Sequence, residues 1–158
     1  MSDCDHEHAG PNGLRGHGLE HALADADARC ARTGQRMTQP RRRALEMLLE
    51  AGKPIKAYDL IADFAGEGKP AKPPTVYRAL EFLSKQGLAH RIESLNAYVA
   101  CGAGDKNHAA AFLICDCCGA SAEIEPFAPE RVQAAADKAG YQIDQVVVEA
   151  HGRCSACA

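Results

Sequence analysis

Two Cys-x-x-Cys pairs lie in the last third of the chain. One pair lies in Cys115-Asp116-Cys117-Cys118-Gly119 and the other in Cys154-Ser155-Ala156-Cys157. Each pair can bring two thiolates onto one metal ion from a tight turn, and four sulfurs complete the tetrahedral shell of a structural zinc site. The spacing therefore predicts a structural zinc ion held by Cys115, Cys118, Cys154 and Cys157.

Cys117 leaves the pairing within the first segment open, because Cys115 could pair with Cys117 or with Cys118. The two-residue spacing followed by Gly119 favours Cys118, since the turn needs room for backbone N–H groups to face the sulfur. A redox-active Cys-x-x-Cys is the competing interpretation, but it normally needs an exposed thiol of low pKa at the start of a helix. Both pairs fall in strand and turn contexts, which favours metal binding.

A second, looser group contains two imidazoles, one thiolate and one carboxylate: His90, Cys101, His108 and Glu123. Each of these residues is common as an ordinary surface or core residue. What they share is position, because all lie where two predicted domains must meet. This set of donors suits tetrahedral zinc, and the soft sulfur disfavours iron(II) or manganese(II) relative to a site made of nitrogen and oxygen alone.

Composition limits the class of protein. The 158 residues allow one domain or two small ones, and 46% hydrophobic with 25% charged residues suits a folded chain. The sequence has no run of about 18 apolar residues that could span a membrane, and the acidic, His-rich start lacks the apolar stretch of a secretory signal. We therefore expect a cytoplasmic chain, in which eight cysteines indicate metal or redox chemistry rather than a disulfide framework.

The formal net charge of −3 conceals a basic middle section. Residues 34–94 carry 11 Lys/Arg against 7 Asp/Glu, a net charge of +4, whereas residues 1–33 carry −3 and residues 95–158 carry −4. This balance indicates that the middle section meets a polyanion, although a solvated surface is the simpler alternative. The candidates for phosphate contacts are Arg41, Arg42, Arg43 and Lys72.

Apolar periodicity and end signals predict the elements that position these residues. The predicted helices span residues 19–33, 38–50, 57–64, 74–86 and 129–139. The predicted strands span residues 88–93, 97–100, 110–116, 120–125 and 141–150. Helices followed by a two-stranded hairpin describe a winged helix, in which the last helix before the wing enters the major groove. A protein-interaction module with the same elements is the alternative.

The predicted fold class is α+β. An N-terminal winged-helix DNA-binding domain at 19–101 follows a disordered His-rich tail at 1–18. A Gly-containing hinge at 102–107 leads to a C-terminal αβ dimerisation domain at 108–158. That domain is too small to bury much surface alone, so we expect both a zinc staple and a dimer.

Five segments, in the same order, resemble the ferric uptake regulator (Fur) family and within it the zinc uptake regulator branch. The most specific is Lys72-Pro73-Pro74-Thr75-Val76-Tyr77-Arg78-Ala79-Leu80-Glu81-Phe82-Leu83, which is similar to the family's recognition helix. The others are Ala57-Tyr58-Asp59-Leu60, Ala97-Tyr98-Val99-Ala100-Cys101, Phe112-Leu113-Ile114-Cys115-Asp116 and Glu149-Ala150-His151-Gly152-Arg153-Cys154. The resemblance covers about residues 20–158.

The resemblance implies a dimeric repressor with an N-terminal winged helix and two zinc ions per chain. It implies that the four cysteines hold the structural ion and that the second group forms the sensing site at the hinge. By the same route Tyr58 and Arg78 contact DNA, with Arg78 at a purine edge, while Thr75 and Tyr77 touch the DNA backbone.

One departure from the iron-sensing members concerns the metal. Those members have a His-His-x-His run where this chain has His108-Ala109-Ala110-Ala111, and this loss together with Cys101 favours zinc. We expect a zinc-responsive repressor of zinc uptake genes that binds palindromic operator DNA as a homodimer, with neither a membrane partner nor a small-molecule substrate. No catalytic motif is present in the sequence, so we do not expect an enzyme. The alternatives are a sibling sensor of iron, manganese, nickel or peroxide, and a zinc-ribbon protein-interaction module.

Overall fold

The computed structural model describes residues 13–64, 71–101, 110–124, 129–143 and 146–158. The chain divides into two compact units, with residues 9–106 in the first and residues 107–158 in the second. The predicted hinge at 102–107 and the first twelve residues of the predicted tail lie outside the described residues. Within the described part, no helix combines the length and the apolar character needed to cross a membrane.

The first unit contains four helices and three short strands within its described residues. In chain order these are α1 Gly16–Arg32, α2 Gln39–Ala51, β1 Ile55–Lys56, α3 Ala57–Asp63, α4 Pro73–Lys85, β2 Ala89–Ile92 and β3 Ala97–Ala100. The second unit contains β4 Ala110–Cys115, β5 Ser121–Ile124, α5 Pro129–Ala139 and β6 Val147–Gly152.

The core of the first unit lies between α2 and α4. Pro40 lies in the first turn of α2, and Gly52 ends the helix in the left-handed region at φ 58°, as its sequence signals predict. Leu48 on α2 and Leu80 and Leu83 on α4 are completely buried. Because these residues recur at helical spacing, burying them turns the opposite face of α4 to solvent.

The wing is a three-stranded antiparallel sheet with strand order β1-β3-β2. Strands β2 and β3 form the predicted hairpin, with Ala89 opposite Ala100 and a positive φ of 45° at Asn96 in the turn. Strand β1 was not predicted, because two residues are too few to show alternation. It forms where Ile55 pairs with Tyr98.

Helix α1 begins three residues earlier than predicted and includes part of the predicted tail. The backbone N–H of Leu14 donates to the carbonyl of Leu49 at 2.8 Å, and the guanidinium of Arg15 donates to the carbonyl of Glu50 at 2.7 Å. Both acceptors belong to the last turn of α2, whose carbonyls lack helical partners. This tertiary contact holds residues 14–15 in place and allows the helix to start at Gly16.

The second unit is a three-stranded sheet of order β5-β4-β6. Strand β4 runs antiparallel to β5 and parallel to β6, and its Phe112 and Ile114 are buried. Strand β6 begins at Val147, so the predicted start at residue 141 was wrong. The N–H of Tyr141 instead bonds to the carbonyl of Ala136 at 2.9 Å and closes the end of α5, whose Gly140 has φ 75°.

Candidate metal centre and nucleic-acid interface

The four-cysteine cluster is assembled by the pairing of β4 with β6. Their parallel register places Cys115, the last residue of β4, opposite Gly152, the last residue of β6. Cys115 and Cys154, two residues beyond β6, therefore emerge at the same edge of the sheet. Each strand is followed by a turn that supplies the second cysteine of its pair. The first turn is closed by a 2.8 Å bond from the N–H of Gly119 to the carbonyl of Cys115, with φ 72° at the glycine.

The sulfur atoms of Cys115, Cys118, Cys154 and Cys157 all lie within 4.8 Å of one another. The sulfurs of Cys118 and Cys154 are 3.8 Å apart. Two ligands about 2.3 Å from one zinc ion at a tetrahedral angle are about 3.8 Å apart, whereas sulfurs joined in a disulfide are about 2.05 Å apart. The donor set and its spacing thus fit a tetrahedral zinc ion. Cys118, and not Cys117, is the cysteine grouped with Cys115.

Backbone hydrogen bonds favour a thiolate at Cys115. N–H groups of Cys118 and Cys154 face its sulfur, the latter at 3.3 Å, and they lower the pKa of this thiol from 9.0 to about 6. Burial, together with the neighbouring thiols, raises the pKa of Cys157 to about 12. Cys157 therefore holds its proton more firmly than an ordinary thiol, and a zinc ion must displace that proton to bind four thiolates.

An ion-paired histidine lies beside the cluster. The Nδ1 of His151 lies 2.8 Å from the Oδ1 of Asp116, and its Nε2 lies 3.6 Å from a carboxylate oxygen of Glu149. The hydrogen bond with Asp116 raises the pKa of His151 above its ordinary value. Asp116 also donates its N–H to the carbonyl of Gly152 at 2.9 Å, so this network joins the turn after β4 to the end of β6. The Asp116–His151 pair was not predicted from the sequence. The local sign of it in the sequence is the aspartate that directly follows Cys115.

His90 and Cys101 come together in the first unit. His90 is buried on β2 opposite Val99, and Cys101 directly follows β3 and donates its N–H to the carbonyl of Leu88 at 3.0 Å. The Cys101 sulfur and an imidazole nitrogen of His90 lie within 4.8 Å of each other. The hairpin thus supplies one nitrogen and one sulfur of a possible tetrahedral site. Glu123 lies half-buried on β5 opposite Phe112 in the second unit, and His108 lies outside the described residues.

Helix α4 has the two faces that a reading helix needs. Val76, Leu80 and Leu83 are buried, whereas Thr75, Tyr77 and Arg78 are exposed. Lys72 is exposed at the N-cap of this helix, and its carbonyl accepts the N–H of Thr75 at 2.9 Å. Tyr58 on α3 is 79% exposed, which is unusual for so large an aromatic side chain and leaves the ring available to a partner. Helix α4 thus has a polar and aromatic face, and α3 exposes a further aromatic side chain.

The three consecutive arginines of α2 interact within their own unit. The Arg41 guanidinium donates to the carbonyl of Arg36 at 2.6 Å and lies 3.5 Å from the centre of the Phe82 ring. Arg42 is paired with Asp27, and Arg43 is paired with Glu46 at 2.8 Å. A phosphate contact by any of them would compete with these partners. Their assignment as phosphate contacts stays a prediction.

Comparison with known proteins gives concordant results. The model of the ferric uptake regulator family matches residues 32–151. The zinc uptake regulation protein of Escherichia coli (strain K12) is 43% identical over 138 residues, which cover 85% of this chain and 80% of that protein.

Two solved structures share the fold along almost the whole chain. A zinc uptake regulator complexed with zinc and DNA has a TM-score of 0.81 at 39% identity, covering 89% of this chain and 95% of its own. The holo form of XcZur has a TM-score of 0.75 at 38% identity, covering 87% and 96%. The predicted α+β class, with a winged helix and a dimerisation domain, is confirmed by these neighbours. With a family match over most of its length and a relative 43% identical to it, the chain belongs to the ferric uptake regulator family.

Proposed function

We propose that the chain is a zinc-responsive transcriptional repressor of zinc uptake genes that binds palindromic operator DNA as a dimer. The observation that carries this proposal is the similarity to a zinc uptake regulator complexed with zinc and DNA over 89% of the chain. That neighbour has two ligands, zinc and DNA. The sulfur cluster of this chain is suited to zinc, and the exposed surface of α4 is suited to DNA. The matched proteins are regulators rather than enzymes, so this chain is a regulator too. A repressor of this kind works in the cytoplasm, where bacterial DNA lies.

We assign two zinc ions to each chain. The four-cysteine cluster holds the structural ion, because four sulfurs at tetrahedral spacing leave no open position for a substrate. The regulatory ion is held by His90 and Cys101 from the wing, with His108 and Glu123 as the remaining donors. When bound, this second ion would join donors of both units and favour one arrangement of the reading helices.

The residues of the wing give the regulatory site its preference for zinc and its connection to α4. Cys101 supplies a thiolate, which favours zinc over iron(II) and manganese(II). Its N–H bond to the carbonyl of Leu88 fixes the end of β3 to the short turn between α4 and β2. A change at Cys101 would thereby be transmitted to α4, the helix to which we assign the base contacts. To strengthen DNA binding a thousandfold, the coupling between the two sites must reach about 4 kcal/mol.

We assign the DNA contacts to α3 and α4. Arg78 would reach a base edge from the exposed face of α4, Tyr58 would contact DNA from α3, and Thr75 and Tyr77 would touch the backbone. Lys72 would meet a phosphate at the start of α4. Arg41, Arg42 and Arg43 would add phosphate contacts only by exchanging their present partners.

The dimer is supported by the apolar surface of the second unit. Leu113 is 47% exposed in the middle of β4, opposite exposed Ala122 on β5 and exposed Ala150 on β6. An apolar row across a sheet is unfavourable in water and is typical of an interface. A second copy of the chain would cover it and would supply the second reading helix for a palindromic site.

Fluorescence anisotropy on an operator-like palindrome tests the proposal, with buffered free zinc compared with iron(II) and manganese(II). Affinity should rise steeply with zinc alone, and Cys101→Ser should remove the response while leaving a zinc-containing dimer. Binding that ignores zinc, or that responds better to iron or manganese, would favour the sibling sensor. Failure to bind any such DNA in zinc would favour the protein-interaction module.

A further inference from the structure

Helix α1 has an exposed face rich in metal-binding groups. Leu19, Leu23, Ala26 and Cys30 are buried along one side of the helix. The opposite side exposes two imidazoles and two carboxylates, which belong to His17, Glu20, His21 and Asp25. These residues lie in the first three turns of α1. They precede residue 32, where the match to the family model begins. They therefore need an explanation of their own.

The spacing of the two histidines is that of a helical chelate. Residues four apart on a helix have Cβ atoms about 5–6 Å from each other on one face, so His17 and His21 can reach a common ion. Glu20 is three residues after His17, so its carboxylate neighbours the His17 imidazole on the helix surface. Two imidazoles and one carboxylate form a donor set that suits zinc.

His21 is already oriented by a carboxylate. Its Nδ1 lies 3.2 Å from the Oδ2 of Asp25, one turn further along the helix. A histidine ligand in a metal site almost always directs its other ring nitrogen to such an acceptor, which orients the ring. The pair therefore leaves the Nε2 of His21 for an ion.

The local charge favours a cation. Residues 16–28 contain no Lys or Arg and three carboxylates, those of Glu20, Asp25 and Asp27, of which Asp27 is paired with Arg42 of α2. The N-terminus of α1, near His17, carries the positive partial charge of the helix dipole, which disfavours a cation. The excess of negative side-chain charge offsets this effect.

The first turn of α1 would respond to an ion. It contains Gly16, at φ 52°, and Gly18, and glycine lowers helix stability because of its large conformational freedom. An ion shared by His17 and His21 binds only when both residues are helical, so it stabilises this turn.

We propose that His17 and His21, with Glu20, form an accessory zinc site on the outer face of α1, and that Asp25 positions His21 within it. The site is separate from both zinc sites assigned above and contains no cysteine. It binds zinc more weakly than the sulfur cluster does, because it offers three exposed donors in place of four thiolates. Its effect is to stabilise the beginning of α1 when zinc is abundant.

The test is a calorimetric titration of zinc into the full-length chain after both other sites have been filled. One additional zinc ion per chain should bind to the wild-type protein and should be lost in His21→Ala. The double variant His21→Ala/Ala24→His is the matched control, because it keeps the number of histidines but separates the two imidazoles by about two turns. It should not restore binding. Asp25→Asn should weaken this zinc about tenfold without abolishing it.

Cys4, His6 and His8 are the competing donors for an additional ion. The triple variant Cys4→Ser/His6→Ala/His8→Ala should keep the α1 zinc. The proposal is overturned if this variant loses the additional ion, if His21→Ala still binds it, or if the double variant recovers it. Circular dichroism provides a second readout, since excess zinc should raise the thermal stability of the wild-type protein more than that of His21→Ala.

Discussion

The sulfur atoms of Cys118 and Cys154 lie 3.8 Å apart, although 36 residues separate them in the sequence. The parallel pairing of β4 with β6 produces this approach, because it ends both strands at the same edge. The cluster therefore joins the ends of β4 and β6 in a small sheet whose large buried apolar side chains, among the described residues, are Phe112 and Ile114. A zinc ion bound at this position would contribute directly to the folding of the second unit.

Replacing one ligand should expose that contribution. Cys154→Ser is expected to lose the structural zinc and to lower the thermal stability of the second unit. Metal analysis and thermal unfolding measure the two effects. Ser155→Ala is the matched control, because Ser155 is exposed in the same turn and offers no sulfur. A Cys154→Ser dimer that remained stable and fully loaded with zinc would contradict the assignment.

Arg78 and Lys72 should differ in how they affect DNA binding. Arg78→Ala is expected to reduce the preference for operator over unrelated DNA by about 1–3 kcal/mol, because a base contact carries sequence information. Lys72→Ala should weaken binding to all sequences and reduce the salt dependence by about one phosphate contact. Anisotropy titrations at several salt concentrations distinguish the two. Equal losses on both DNAs for Arg78→Ala would make it a phosphate contact.

The metal-free sulfur cluster should titrate in an unusual range. Since the pKa of Cys115 is lowered from 9.0 to about 6, its thiolate stabilises the metal-free fold fully above about pH 9. That stabilisation should disappear as the pH falls through about 6. Thiolate absorbance of the chelator-treated protein should report one group in this range, and Cys115→Ser should lack it. If the thiolate signal of the wild-type protein appeared only above pH 8, the hydrogen bonds to this sulfur would be absent in solution.

A charge in the apolar row of the second unit should weaken the dimer. Leu113→Lys places an ammonium in the middle of that row, where a partner would have to bury it. Sedimentation equilibrium should show a larger dissociation constant for the dimer and weaker binding to the palindrome. Leu14→Lys is the control, because Leu14 is 38% exposed but belongs to the first unit. An unchanged dimer in Leu113→Lys would place the interface elsewhere.

The sequence by itself determined the elements whose signals are local. The left-handed Gly52 and Gly140 end α2 and α5 where the pattern predicts, and the apolar spacing of Val76, Leu80 and Leu83 identifies the buried face of α4. The Cys-x-x-Cys spacing predicted the four cysteines that the structure groups, because such a turn is a short-range structure, and their role as zinc ligands stays a prediction.

Only the tertiary structure decided the features that depend on distant partners. Strand β1 exists because Ile55 meets Tyr98, α1 begins at Gly16 because Leu14 and Arg15 bond to the end of α2, and Arg42 of α2 is paired with Asp27 of α1. The Asp116–His151 pair likewise follows from the register of β4 and β6. Such contacts join residues far apart in the chain, so their stabilisation leaves no periodic trace in the sequence around either partner.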